Sequence, residues 1–309
     1  MNELDKAIEL LKDGDVVALP TETVYGLAGS IASDQALKKI FSVKERPFFD
    51  PLIVHVCRTE DAKSLSSSWD ETCDALAQEF WPGPLTIVAK KNEKVRDVIT
   101  AGLDSVGLRC PDHPATLEVI KKLGSPVAAP SANKFKRTSP TKKEHVLEEF
   151  GESVFVVEGG ESRVGIESTV VGVFSDRVEI YRPGMITSED ISNALKKHEI
   201  SLPVNVVQSP VAPGQLKHHY MPKIPIVLSW DNTSPNLDAL DINKEKLAVW
   251  DMKEDPAQAA RNLYNYFRSS EQQGKTAIII YLDSSMKNEA KWAGILNRLD
   301  KAKTFELHL

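Results

Sequence analysis

Short apolar runs rich in β-branched residues alternate along this chain with segments of helical spacing, and this alternation constrains the fold more than any other feature. The runs have the length and composition of buried strands, and the segments between them that of amphipathic helices. Strands are predicted at residues 16–19, 51–56, 85–89, 105–109, 127–129, 154–157, 168–173 and 178–181, and helices at 4–11, 36–43, 70–80, 115–123, 143–150 and 188–197, with Ser188 as N-cap of the last. Such an order predicts an α/β layer architecture around an open sheet.

Five prolines between positions 203 and 225 interrupt the periodicity, and a second α/β pattern follows them. Prolines and apolar residues alternate in this stretch, which favours an ordered linker over a flexible one. We therefore predict a first domain at residues 1–202, an ordered linker at 203–224 and a small domain at 225–309. Strands at 224–228, 247–250 and 277–282, with helices at 257–273 and 289–302, predict a parallel sheet in the small domain.

The overall charge and the cysteines exclude several classes of function. A net charge of −6 over 309 residues argues against a protein that binds nucleic acid with its whole surface. Cys57, Cys73 and Cys110 have neither metal-ligand nor disulfide spacing. No apolar run approaches a membrane span, and the N-terminus has no signal-peptide pattern, so we expect a cytoplasmic protein.

Two polar loops follow apolar segments in the first half of the chain. Residues 20–27 end a predicted strand with hydroxyls, a carboxylate and a phenol; they form either a ligand-binding sheet edge or a capped turn. Lys44 and Arg46, two residues apart before Pro47, can converge on one anion if the backbone is extended. A solvated helix end is the alternative interpretation of this pair.

Two more such loops occur further along. Residues 130–141 carry Ser131, Asn133 and three cations, which suits either a phosphate site or a polar surface loop with Asx turns. Residues 165–171 contain Ser168 and Thr169, and residues 181–184 follow the next strand. Together with Arg109, these loops place cations and hydroxyls at several strand ends, which suits a pocket for a triphosphate and a small carboxylate.

Two other motifs resemble functional sites but lack residues that such sites need. Gly274-Lys275-Thr276 lacks the first glycine of a P-loop and runs from helix to strand, so a helix C-cap is the better interpretation. His218-His219 has no cysteine or carboxylate at metal-ligand spacing.

The chain resembles the threonylcarbamoyl-AMP synthases in a series of motifs whose order and spacing match over residues 4–222. They are PTETVYGL, KERPFFDPLIVHV, FWPGPLTIV, VGLRCPDHP, APSAN with SPT, GIESTVV, YRPG and APGQLKHHYMP. The tail, with NLYNYFR, EQQGKTAIII and AGILNRLDKA, resembles the extra domain of the family's two-domain branch. The resemblance implies a twisted open mixed sheet with a large basic concave face, followed by a small Rossmann-like domain.

The resemblance also implies roles for individual residues. Lys44 and Arg46 match a KxR motif associated with activity, and Ser131 and Asn133 match a paired SxN motif. The implied ATP-binding residues are Lys44, Arg46, Asp50, Ser105, Ser131, Asn133, Ser139, Arg182 and Tyr220. The implied L-threonine-binding residues are Thr23, His55, Arg109, Ala129, Ser168 and Thr169. Tyr220 is expected to close over the nucleotide as part of a lid.

The implied reaction joins L-threonine, bicarbonate and ATP into threonylcarbamoyl-AMP and pyrophosphate, for N6-threonylcarbamoyladenosine in tRNA. Mg²⁺ is expected to arrive with the ATP phosphates, without direct protein ligands. The expected partners are a tRNA threonylcarbamoyl transferase that takes the product and, weakly, RNA. No membrane partner is expected.

Two alternatives and three departures accompany this hypothesis. A double-stranded RNA- or tRNA-binding module without catalysis is one alternative, and the carbamoyltransferase of hydrogenase maturation, which needs cysteine-rich zinc modules, is the other. Phe135-Lys136 replaces a common Ser-Gly pair, Asp50 a common Asn, and His218 a more usual Ser or Arg. These departures bear on the shape of the phosphate loop, the nucleotide contact and the linker.

Overall fold

A computed structural model shows two sheets in one chain and describes residues 2–207, 219–231, 233, 235–237, 240 and 242–307. The first sheet is large and mixed, and the second is small and parallel. The predicted α/β class, with a mixed open sheet followed by a small α/β unit, is confirmed. No helix within the described ranges is long and apolar enough to cross a membrane.

The large sheet has ten strands in the order β10-β9-β8-β4-β5-β3-β6-β2-β1-β7. Their bounds are β1 Val17–Leu19, β2 Gly26–Ser30, β3 Ile53–His55, β4 Leu85–Lys90, β5 Ser105–Arg109, β6 Val127–Ala128, β7 Phe155–Val156, β8 Thr169–Val173, β9 Val178–Arg182 and β10 Val204–Val206. Parallel pairs join β3 to β5 and β4 to β8, whereas β4–β5 and β8–β9 are antiparallel. The loops that carry the polar motifs therefore meet near the middle of the sheet.

Within the described ranges, eight α-helices cover this sheet. They are α1 Glu3–Lys12, α2 Asp34–Lys44, α3 Thr59–Lys63, α4 Glu71–Phe80, α5 Asp97–Thr100, α6 Pro114–Leu123, α7 Lys143–Phe150 and α8 Ser188–Lys197. The N-cap of α8 is Thr187, so the prediction of Ser188 was wrong. Thr187 and Asp190 form a capping box, in which each side chain bonds the other's backbone N–H, and this reciprocal pair outcompetes a cap one residue later.

The core of the first domain lies on both faces of the sheet. One buried cluster joins α2 to the central strands through Leu37, Ile40 and Phe41. A second packs α1 and α6 against β1 and β2, and a third packs α4 and α8 against β4, β8 and β9. Burial on both faces explains why the strands are nearly continuous apolar runs rather than alternating ones.

The second domain is a four-stranded parallel sheet in the order β12-β13-β11-β14. Its elements are β11 Ile226–Trp230, β12 Leu247–Asp251, α9 Pro256–Gln272, β13 Ala277–Leu282, α10 Ala293–Ala302 and β14 Phe305–Leu307. Gly274, with φ 65°, follows α9, so the Gly-Lys-Thr triplet ends a helix as predicted.

Strands β2, β10 and β14 escaped prediction. The sequence of β2, GLAGS, has few β-formers, and it becomes a strand because β1 and β6 pair with it on both sides. Strand β10 lies inside the predicted linker 203–224 and pairs with β9. The boundaries at 202 and 224 stay predictions, and His218 lies outside the described residues.

Candidate active site

One cavity gathers most of the residues expected at the site. Its lining includes the predicted residues Thr23, Arg46, His55, Arg109, Ala129, Ser131, Ser168, Arg182 and Tyr220. Its volume is only about 50 Å³, and we call it the central cavity. A side cavity of about 450 Å³ shares Pro51 and Ile53 with it and is lined by Ser105. The two together leave space for a small ligand beside a larger one.

The loop after β1 serves as both a turn and part of the cavity wall. The Thr21 hydroxyl donates to the Val24 carbonyl at 2.6 Å and accepts from the Val24 N–H at 3.2 Å, which closes a tight turn. The Thr23 hydroxyl accepts from Arg109 at 2.8 Å and lines the central cavity. Thr21 also lines the central cavity, so the loop is a closed turn and a part of the cavity wall at the same time.

Strands β3 and β5 place His55 and Arg109 side by side, because the two residues are register partners in the parallel pair. Arg109 Nη2 lies 2.7 Å from a carboxylate oxygen of Glu22, and both side chains are buried. Burial, reinforced by the Arg109 charge, lowers the pKa of His55 to about 3. A neutral imidazole beside a permanent cation suits the carboxylate and hydroxyl of an amino acid.

Lys44 and Arg46 diverge rather than converge. Lys44 is the last residue of α2, and Glu45 takes a left-handed conformation with φ 54°, so the extended backbone expected between the two cations does not form. The Lys44 ammonium donates to the carbonyls of Ser131 and Asn133, each at 2.5 Å. Arg46 alone of the two lines the central cavity. Lys44 therefore braces the back of the Ser131 loop.

Burial sets the charges of this pair and of Asp50. It lowers the pKa of Lys44 well below its ordinary value, and Arg46 adds to the effect. Asp50 lies 2.9 Å from Arg46 Nη2 and does not line the central cavity. Burial raises the pKa of Asp50 against the opposing effect of Arg46. Asp50, which replaces the Asn common in the family's motif, therefore contacts Arg46, a cation of the site.

The loop after β6 is held from within. Asn133 Nδ2 donates to the carbonyls of Lys134 and Arg137 at 2.8 and 2.9 Å, so its amide shapes the loop without lining the cavity. At the Phe135-Lys136 departure, Lys136 has φ 66°, a conformation that favours glycine, and its carbonyl accepts from the Met221 N–H. The loop is thereby tied to the segment that carries Tyr220.

Strands β8 and β9 bring Ser168 and Arg182 together. Arg182 donates through Nε and Nη2 to the carbonyl and hydroxyl oxygens of Ser168, both at 3.1 Å. The hydroxyls of Ser168 and Thr86 lie 2.8 Å apart. The Thr169 hydroxyl donates instead to the Ile186 carbonyl at 2.8 Å, away from the central cavity.

Tyr220 fills one side of the central cavity. It is almost fully buried, packs its ring 4.2 Å from His219 and 5.8 Å from Tyr264, and has φ 63°. Its hydroxyl has no hydrogen-bond partner within the described part of the chain. An unsatisfied buried hydroxyl costs free energy, so Tyr220 is placed to gain a partner when a polar ligand enters.

Sequence reasoning missed three residues that complete the site. Glu167 lines the central cavity and accepts from the Ser139 hydroxyl at 2.5 Å. Arg298 and Tyr264, from the second domain, bind the same carboxylate at 2.9 Å each. Ser139 therefore reaches the site through Glu167. In the sequence, Arg298 and Tyr264 are ordinary members of amphipathic helices, and no local pattern marks them.

Comparison with known proteins finds relatives over nearly the whole chain. A family model described as Telomere recombination matches residues 9–184, and one described as Threonylcarbamoyl-AMP synthase, C-terminal domain, matches residues 186–304. The chain is 32% identical to the threonylcarbamoyl-AMP synthase of Pyrococcus abyssi, over 97% of this chain and 94% of that one. It is 31% identical to that of Schizosaccharomyces pombe, over 97% and 88%. The crystal structure of P. abyssi Sua5 complexed with L-threonine has a TM-score of 0.86 at 30% identity, covering 100% of this chain and 97% of that one.

Proposed function

The chain belongs to the threonylcarbamoyl-AMP synthase family, and on that premise we propose that it makes L-threonylcarbamoyl-AMP and pyrophosphate from L-threonine, bicarbonate and ATP. The product then serves N6-threonylcarbamoyladenosine formation in tRNA, through a tRNA threonylcarbamoyl transferase in the cytoplasm. The observation that carries this proposal is the convergence of Arg46, Arg109 and Arg182, all buried, on one small cavity. Buried arginines suit ligands that carry carboxylate and phosphate groups.

The amino-acid end of the cavity is assigned to Arg109 and its neighbours. Arg109 Nη2 donates to Glu22 and Thr23, and Nε donates to the Gly83 carbonyl; these bonds orient the guanidinium in the cavity wall. We assign the threonine carboxylate to Arg109 and its hydroxyl and amine to Thr23, His55 and Ser168, with the Ala129 backbone alongside. Neutral His55 can accept a hydrogen bond from the ammonium or hydroxyl group.

The nucleotide is assigned to the other side of the central cavity and to the side cavity. Arg46, Ser131 and Arg182 face the phosphates, Ser105 faces the nucleoside, and Tyr220 covers the site as a lid. Lys44, Asn133 and Asp50 hold the loops behind these groups. Phosphoryl and nucleotidyl transfer depend on positioning and charge neutralisation, which these residues supply.

The proposed chemistry proceeds in two steps. The threonine amine attacks bicarbonate, water leaves, and an N-carboxylated threonine forms. Its new carboxylate oxygen attacks the α-phosphorus of ATP, the bond to the β-phosphate oxygen breaks, and pyrophosphate departs. A closed lid keeps water from the mixed anhydride until release.

Magnesium enters this scheme as MgATP. The carboxylates near the site already face cations: Glu22 faces Arg109, Asp50 faces Arg46 and Glu167 faces Arg298. Carboxylates engaged in this way are poor candidates for direct metal ligands, which supports coordination of Mg²⁺ by the ATP phosphates.

The RNA-binding alternative gains no support from the site. Arg46, Arg109 and Arg182 are at most 8% exposed, and a duplex backbone cannot reach guanidinium groups buried to that extent. Weak binding of RNA elsewhere on the surface stays a prediction.

Release of pyrophosphate from MgATP tests the proposal. We expect release that requires both threonine and bicarbonate, with the mass of threonylcarbamoyl-AMP among the products. Release that does not depend on threonine would indicate another acceptor, and absence of release would refute the adenylation reaction.

A further inference from the structure

The second domain approaches the catalytic loops at backbone distance in two places. A Cβ on Gly294, in α10, would lie 2.8 Å from the Gly184 carbonyl oxygen. A Cβ on Gly165 would lie 2.4 Å from Cα of Arg261, in α9. Glycine at these positions allows α9 and α10 to pack directly on the loops before β8 and after β9. Ser168 lies in the first of these loops, and Arg182 ends β9 immediately before the second.

Glu167 is the polar centre of this contact. One carboxylate oxygen accepts from the Ser139 hydroxyl, and the other accepts from Tyr264 and from Arg298 Nε. Arg298 Nη2 also donates to the Glu167 backbone carbonyl at 3.1 Å. Glu167, Tyr264 and Arg298 are all buried, so the carboxylate has little access to water.

Arg298 holds the second loop as well as the first. Its Nη1 donates to the Pro183 carbonyl at 2.6 Å, immediately after Arg182. One fully buried guanidinium therefore bonds both loops, and it does so from a helix that contributes no lining to the central cavity. Rigid fork geometry makes arginine suited to fixing two groups at once.

We propose that Arg298 is a positioning residue for the nucleotide, acting through Glu167 on Ser139 and through Pro183 on Arg182. The second domain thereby completes the adenylation site without touching substrate. This assignment rests on the proposed function, because it takes the central cavity as the place where ATP binds.

The physical reason lies in the charge of Glu167. Arg298 and Arg182 both act on that carboxylate and hold its pKa at about 2 although burial opposes them. Without Arg298, the cations left to act on the buried carboxylate would include Arg182 and Lys301, and Arg182 would be drawn from Ser168. Misplacement of a substrate-binding group by about 1 Å can reduce a rate about 100-fold.

Steady-state kinetics of the full chain test the proposal. Arg298→Met is expected to raise KM for ATP and to lower kcat/KM for ATP about 100-fold. KM for threonine should rise less than KM for ATP: among the described residues, Arg109 and Glu22 form no hydrogen bond or ion pair with Arg298, Glu167 or Tyr264, and only Ser168 connects the threonine side to this cluster. Arg298→Met/Glu167→Gln is expected to recover about tenfold relative to Arg298→Met, because the double variant no longer buries a carboxylate that has lost its ion-pair partner.

Two further variants separate positioning from stability. Ile279→Ala removes a buried side chain from the far face of the small sheet, and it should lower the melting temperature while leaving KM for ATP unchanged. If Arg298→Met does not fold, Tyr264→Phe provides the test instead. It removes one donor to Glu167 and should raise KM for ATP about threefold. An unchanged KM in a folded Arg298→Met, no gain in the double variant, or an equal KM rise in Ile279→Ala would overturn the proposal.

Binding of a non-hydrolysable ATP analogue distinguishes this inference from the proposed reaction. If the wild-type chain forms no adenylate, the analogue's Kd replaces KM, and the same order of variants is expected. If the wild type forms the adenylate and all variants bind the analogue with equal Kd, the proposed reaction stands and the role of Arg298 is refuted.

Discussion

Protonation of Glu167 should have a measurable effect on stability, because the folded chain holds this carboxylate ionised. Burial by itself would raise its pKa, but Arg298, Arg182 and the Ser139 hydroxyl together lower it from 4.5 to about 2. The folded-state pKa lies below the unfolded one, so the stabilisation is present above pH 4.5 and is lost as the pH falls toward 2. The gap corresponds to about 3 kcal/mol in all, of which about 1 kcal/mol is lost between pH 7 and 3.5.

Urea unfolding of the wild type and of Glu167→Gln at pH 7 and pH 3.5 measures this loss. The variant should be less stable than the wild type at pH 7, since Arg298 loses its counter-charge. The difference between the two should shrink by about 1 kcal/mol at pH 3.5, because only the wild type has a carboxylate to protonate at position 167. In Arg298→Met, the free energy of unfolding should begin to fall at a higher pH than in the wild type, since removal of this cation raises the pKa of Glu167.

Tyr264→Phe is the matched control, because it removes a donor but keeps both charges of the pair. Its free energy of unfolding should fall with pH nearly in parallel with that of the wild type. A difference between wild type and Glu167→Gln that stays constant within about 0.3 kcal/mol from pH 7 to 3.5 would refute the linkage.

Two other predictions concern the first domain. Lys44→Met removes the bonds to the Ser131 and Asn133 carbonyls, so calorimetry should show a lower melting temperature and pyrophosphate release should fall about 100-fold. A folded variant with wild-type turnover would contradict the bracing role. Threonine affinity should show no step from His55 between pH 5 and 8, because burial beside Arg109 holds its pKa at about 3. Titration calorimetry checks this, and a step near pH 6.5 that His55→Gln abolishes would contradict it.

The sequence predicts elements whose signals are local. Helix α8 has helical spacing and a capping residue, and β13 is a run of β-branched residues, so both were found within a residue or two. Strand β2 was missed because its strand character comes from the neighbours β1 and β6. Short strands such as β10 and β14 likewise depend on pairing rather than on composition.

The candidate site also has features that the sequence predicts and features that it does not. His55 and Arg109 end neighbouring strands, and the register of those strands brings them together, as polar residues at strand ends suggest. The divergence of Lys44 and Arg46 depends on the left-handed backbone conformation of one residue, Glu45, which no sequence pattern predicts. Arg298 is beyond sequence reasoning for a different reason, since its partner Glu167 lies 131 positions away.

That separation of 131 positions also sets the order in which the protein can become competent during synthesis. A ribosome adding about 5–20 residues per second needs roughly 7–26 s to pass from Glu167 to Arg298. Throughout that interval the nascent first domain carries a carboxylate destined for burial without its guanidinium partner. Docking of α9 and α10 is the step that brings Arg298 to Glu167, and before it we expect the first domain to use ATP as poorly as Arg298→Met does.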